Sequence, residues 1–148
     1  MDAAADVADE NDPGDDASTG DSGTWGDGGH ATWNGCGPAD FVNRTAPTAS
    51  RTITFGGTTG SVYSPRCLWV ADGQTVTFNG DLTMDPLVPG TAPGLTATDP
   101  PGATPSPIMT TSTGVGVMVT FPMGVEGIYP FYSQTHGATG MYGAILVF

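Results

Sequence analysis

The chain has 148 residues, no lysine, three Lys/Arg positions in all, 15 acidic residues and a formal charge of −12. Without a basic stripe to neutralise phosphates, nucleic acid is excluded as a partner. No apolar run approaches the roughly 18 to 20 residues that cross a bilayer as a helix, and no leader with a basic start and an apolar centre is present.

Residues 1 to 27 hold nine of the acidic residues and no basic one, among Ala, Gly, Ser and Thr. Such a segment cannot bury enough apolar surface to offset its ordering entropy, so residues 1–32 read as a disordered acidic tail. Removing those nine from −12 leaves −3 for residues 33–148, the expected folded domain. The opening "MDAAAD" fits a natural cytoplasmic start, or a methionine standing where an export signal was removed. His30 reads as a solvated linker residue, and Trp25, Trp33 and Trp69 as covers of the domain's edge or anchors of the tail.

Cys36 and Cys67 are the two cysteines, and each sits beside a turn signal, "NGCGPAD" and "SPRCLWV". An even pair in a loop-rich chain suggests a disulfide, which favours an exported protein; the other reading is two buried free thiols.

Beyond Cys36 the chain alternates in short segments punctuated by Gly, Pro, Asn and Asp, with no 3.6-residue apolar period. "RTITFGG" places Ile53 and Phe55 on one face of a strand, "QTVTFNG" places Val76 and Phe78, and "GVGVMVTF" places Val115, Val117, Val119 and Phe121. Asp72-Gly73 in "CLWVADGQTVTF" reads as a hairpin turn. The proline-rich span 86–114 reads as a long surface loop with room for one short edge strand. "YGAILVF" ends the chain as a strand. The expected architecture is all-β, an antiparallel β-sandwich of about seven or eight strands.

The stretch "YPFYSQTHGATGMYG" resembles the last strand pair and loop of the cupredoxins, the plastocyanin-like blue-copper proteins. In that family the loop carries Cys-x-x-His-x-x-x-x-Met between an aromatic-rich strand and a Gly-led apolar strand. Ser133, His136 and Met141 stand at that spacing here. The family's other histidine follows a segment like "GQTVTFNGD" and precedes a proline, and Asp85 of "TMDPLVPG" stands in its place. The resemblance covers roughly residues 50 to 148 and implies a Greek-key sandwich, a copper site built from Asp85, Ser133, His136 and Met141, and one-electron transfer with a redox protein partner. It also implies a monomer outside the cytoplasm, periplasmic or extracellular, tethered by a lipid upstream of a tail of this composition.

Two of the four ligand positions are substituted. A blue-copper site needs a thiolate, and the hydroxyl of Ser133 is neutral at pH 7 and a poor ligand; Asp85 is a hard donor that favours Cu(II) and discriminates little against Zn(II). Two outcomes follow: a pale, weak copper site, or no metal, with Asp85 paired to His136 and Ser133 because buried polar groups need partners. The functional readings are accordingly a degenerate relative of an electron carrier, a metal-free binding or structural module, and a ligand-substituted form of a working carrier.

Ser133, His136 and Asp85 also spell the residue types of a hydrolase triad. A triad requires the imidazole between serine and carboxylate. In a cupredoxin-like frame both would compete for one ring nitrogen, so no enzyme is expected. Met84 should face away from Asp85, and Met109, Met118 and Met123 read as packing or surface residues.

Overall fold

The computed structural model describes residues 32–96, 103–111 and 118–148. The acidic tail lies outside them apart from Thr32, as do Trp25, His30, Val115 and Val117.

Alternation builds the strands. In β2 (Thr52–Phe55) and β5 (Gln74–Asn79) the pairs Ile53/Phe55 and Val76/Phe78 are buried, while the residues between them are half-buried or exposed. β7 (Met118–Met123) turns Phe121 and Met123 inward. With β3 (Tyr63–Ser64) these form a four-stranded sheet in the order β3-β2-β5-β7. The second sheet has the order β1-β4-β9-β8-β6, from β1 (Val42–Asn43), β4 (Cys67–Val70), β9 (Tyr142–Val147), β8 (Gly127–Ser133) and β6 (Leu87–Pro89).

The inner faces meet in one core that joins Ile53, Phe55, Val76 and Phe78 to Leu68, Val70, Phe131 and Ile145. Phe78 and Phe131 cross between the sheets edge to face with centroids 4.9 Å apart, and Tyr63 packs edge-on against Phe131 at 5.0 Å. Such T-shaped pairs add about 0.5–1.5 kcal/mol each beyond their buried area. The molecule is a β-sandwich.

Three details correct the sequence reading. The sheets are mixed and not antiparallel throughout: β1 with β4, β4 with β9 and β2 with β5 run parallel. Nine strands appear among the described residues, two of which, β1 and β3, are only two residues long. Asp72-Gly73 also does not close a hairpin, since β4 and β5 lie in different sheets. The turn is real, with Gly73 at φ 86° donating to Met123 O at 2.8 Å, but it carries the chain across the sandwich. Links that cross between sheets bring strands back in the same direction, and that produces the parallel pairs. The proline-rich span does yield one short edge strand, β6, which Thr111 bridges at Leu87.

Cys36 and Cys67 form a disulfide across a separation of 31 residues. Closing a loop of that size stabilises the fold by about 3–4 kcal/mol on the chain-entropy model. The turn that presents Cys36 is Trp33-Asn34-Gly35-Cys36, closed by reciprocal bonds between Trp33 and Cys36 at 3.0 Å. Asn34 (φ 48°) and Gly35 (φ 74°) take the left-handed conformations that a tight Asn-Gly turn requires.

That conformation sends the Asn34 amide inward. Its nitrogen lies 2.7 Å from Phe131 O, 3.0 Å from Gly90 O and 3.1 Å from Gly143 O, and its oxygen accepts from Ala92 N at 2.9 Å. One side chain therefore joins the start of the domain to the β6 loop, β8 and β9. Asn34→Gly keeps the backbone geometry and removes only the amide. The expected loss is about 2–4 kcal/mol of unfolding free energy, measured in denaturant, because buried acceptors and a donor lose their partner.

Candidate functional site

Three local structures deliver the site. The first is the turn before β6. Asp81 accepts at Oδ1 from Thr83 N at 2.9 Å, from Met84 N at 3.2 Å and from the Thr83 hydroxyl, while its carbonyl accepts from Asp85 N at 3.0 Å. The turn leaves Met84 63% exposed and Asp85 6% exposed, so neighbours face opposite ways. The second is the end of β8, where Leu87 of β6 pairs with Ser133 and Pro86 O accepts from Gln134 N at 2.8 Å.

The third is the loop between β8 and β9. Ser133 N donates to Met141 O at 2.9 Å, and the carbonyl of His136 accepts from Thr139 N, the Thr139 hydroxyl and Met141 N at 3.0, 3.0 and 3.1 Å. Gly137 follows His136 where a Cβ would lie 2.8 Å from the ring of Tyr132, so this close approach requires glycine. Thr135 Oγ1 ties the loop to the first turn by donating to Met84 O at 2.9 Å.

Asp85, Ser133 and His136 meet by side chain. Ser133 Oγ donates to Asp85 Oδ1 at 2.9 Å and accepts from Thr135 N at 3.1 Å and His136 N at 3.0 Å. His136 Nδ1 lies 2.6 Å from the same carboxylate oxygen, with the imidazole side chain 36% exposed. Met141 joins through its backbone, and its side chain lies in the hydrophobic core. Of the other methionines, Met109 and Met118 are exposed and Met123 is buried in the core.

The order of contacts decides the chemistry. The carboxylate sits between serine and imidazole, whereas a triad places the imidazole between the other two. The Ser133 proton goes to Asp85 and its lone pairs to two amides, so nothing activates it as a nucleophile.

No family model and no curated protein matches the chain. Solved structures do resemble it. The copper-containing nitrite reductase from Thermus scotoductus SA-01 is 20% identical at a TM-score of 0.47, over 76% of this chain and 29% of that one. Plastocyanin from Dryopteris crassirhizoma is 19% identical at 0.45, over 66% and 99%. The copper protein rusticyanin is 19% identical at 0.48, over 74% and 83%. The chain thus spans less than a third of the nitrite reductase.

The donor set of this β-sandwich does not fit a blue-copper ion. It offers no thiolate, Ser133 Oγ is saturated, and His136 Nδ1 is engaged with Asp85. Among the described residues no group of three or more His, Cys, Asp or Glu side chains gathers where it could hold a metal ion.

Sequence reasoning missed four residues here. Asp81 and Thr83 are legible as Asp-x-Thr, the pattern of a side-chain-capped turn. Thr135 and Tyr63 carry no such signal. The Tyr63 hydroxyl is buried without a hydrogen-bond partner among the described residues, and burial first, then the charge of Asp85, raise its pKa far above the usual phenol value.

The Asp81 carboxyl is held below its ordinary pKa, first by the Thr83 hydroxyl and then by the Thr83 and Met84 amides. A depressed folded value means its stabilisation is complete above the ordinary aspartate pKa of about 3.9 and vanishes as pH falls through the lower folded value. The stability gap between the parent and Asp81→Ala should therefore be constant near neutrality and close in acid, as read by thermal unfolding at a series of pH values.

Proposed function

We propose that this chain is an exported, plastocyanin-like cupredoxin with a degenerate type 1 site, related to one-electron carriers and binding copper weakly or not at all. Residues 33–148 form the domain, and residues 1–32 serve as its acidic linker to a lipid tether. The observation that supports this most is the double use of Asp85 Oδ1, which takes both Ser133 and His136. A metal would have to break a 2.6 Å carboxylate–imidazole contact to reach Nδ1. Any copper held at Asp85 and His136 would be bound through hard and borderline donors, without the soft bond that serves both oxidation states.

The same contact favours a second reading. A cluster that satisfies itself without metal suits a binding or structural module that keeps the sandwich and uses its loop surface for a protein partner. Export is supported by the disulfide, which persists in oxidising compartments. Among the described residues no helix is long and apolar enough to cross a membrane.

Copper separates the readings. Cu(II) added to the purified protein should produce no intense absorption at the red end of the visible spectrum, and calorimetry should show weak binding or none. Asp85→His combined with Ser133→Cys should restore both color and tight binding. A deep blue parent protein, or a folded double variant that stays colorless with copper, overturns the degenerate-site reading.

A further inference from the structure

Asparagine followed two residues later by serine or threonine, with any residue but proline between, is the acceptor pattern for N-linked glycans. The chain has four asparagines, Asn11, Asn34, Asn43 and Asn79, and Asn43-Arg44-Thr45 alone meets the pattern. Asn11 has Pro13 at the second position and Asn79 has Asp81. A bare triplet arises often by chance, so its local structure has to carry the argument.

Asn43 ends β1 and is exposed, Arg44 is exposed after it, and Thr45 is half-buried. The Asn43 side-chain oxygen accepts from Thr45 N at 2.9 Å and from the Thr45 hydroxyl at 2.8 Å. Thr45 thus closes an Asx turn with both of its donors. With the amide oxygen facing Thr45, Nδ2 faces the other way, and it donates to no partner among the described residues. The backbone around the turn is anchored on both sides: Arg44 N donates to Trp69 O at 2.7 Å, Arg51 donates to Arg44 O and Ala46 O at 3.0 Å, and Thr45 O accepts from Gln74 Nε2 at 2.8 Å. Asn34 is the contrast. It has Cys36 in the threonine's place, it is 4% exposed, its amide nitrogen lies within 3.1 Å of three carbonyls, and Cys36 is locked in the disulfide.

We propose that Asn43 is a modification site, the acceptor of one N-linked oligosaccharide, with the Thr45 hydroxyl as the group that positions its amide. The donor is an oligosaccharide carried on a polyprenyl diphosphate. A bond forms between the sugar C1 and Asn43 Nδ2, the bond from C1 to the diphosphate oxygen breaks, the polyprenyl diphosphate leaves, and one amide proton passes to a base on the transferase. This rests on the reading of the chain as exported, because such modification belongs to secreted proteins. β1 is the outermost strand of the order β1-β4-β9-β8-β6, three strands or about 14 Å across the sheet from β8. A glycan there covers an edge that would otherwise offer backbone groups to another chain, and leaves the loop of Ser133 and His136 open.

The test incubates the folded, oxidised full-length protein with a single-subunit oligosaccharyltransferase and a polyprenyl-diphosphate-linked oligosaccharide, and reads the product by intact mass and peptide fragmentation. One oligosaccharide on Asn43 and none on Asn34 is the expected result. Asn43→Gln should abolish transfer. Thr45→Val keeps the shape of the side chain and removes the hydroxyl, so the transfer rate should fall about 10-fold, the loss of one well-made hydrogen bond at that step. Thr45→Ser keeps the donor and should stay closer to the parent. Circular dichroism checks that each variant is folded, and should Thr45→Val not fold, the parent with Thr45→Ser decides. No transfer to the folded parent overturns the proposal, as does transfer indifferent to a folded Thr45→Val. The protein isolated from its own cells then separates this proposal from the export reading. Exported, disulfide-bonded protein with a bare Asn43 overturns the proposal alone, whereas protein kept inside the cell with free Cys36 and Cys67 thiols overturns the export reading and the proposal with it.

Discussion

A carboxylate lies almost out of water inside an apolar sandwich, and the surrounding structure is organised around keeping it satisfied. Asp85 is 6% exposed, the chain has no lysine, and Arg51 and Arg66 are spent on backbone carbonyls. An isolated charge in such a place costs several kcal/mol, which folding cannot absorb when the net stability of a domain is only about 5–15 kcal/mol. Ser133 and His136 are the answer, one from the end of β8 and the other from the loop that follows it. The loop is in turn held by the carbonyl of His136, by Thr135 reaching Met84, and by a glycine where no side chain fits.

The same logic explains why the loop keeps its shape with a serine at its first corner. Ser133 does for two backbone amides and one carboxylate what a hydroxyl does at many turns, accepting twice and donating once. A metal ion organises a loop by gathering lone pairs; here the organiser is a proton shared among oxygen and nitrogen atoms. Strand register places Ser133 opposite Leu87 whatever its chemistry, so a ligand-like constellation persists on the frame without ligand chemistry.

Much of this was legible in the residues. Period-two alternation marked Ile53/Phe55 and Val76/Phe78 as inward pairs, and loop spacing placed Ser133, His136 and Met141 at one end of β8 and β9. Sheet membership was not legible. Alternation says which side chains point the same way but not which strand lies alongside, so Asp72-Gly73 looked like a hairpin turn when it is a link across the core. The side-chain orders at the site were also hidden: that the carboxylate, and not the imidazole, occupies the middle depends on distances of a few tenths of an ångström. Asn34 was invisible for a further reason. Its partners lie far away in sequence, as with Gly143 across a separation of 109 residues, and no local pattern encodes a contact of that range.

The position of β4 has a consequence for how the chain must assemble. It lies between β1 and β9, parallel to both, so its Leu68 waits for Ile145 before one side of its ladder is complete. Contacts of such separation slow folding, because the intervening chain must be closed into a loop before any reward is collected. While residues 142–147 are still being synthesised, β4 presents a bare apolar edge of the kind that recruits other strands. Cys36 and Cys67, by contrast, are both available early. A bond between them can tether β4 to the Asn34 turn before β9 arrives, so that oxidising conditions would act on this chain as a folding aid, and not merely as a setting where the finished protein is more stable.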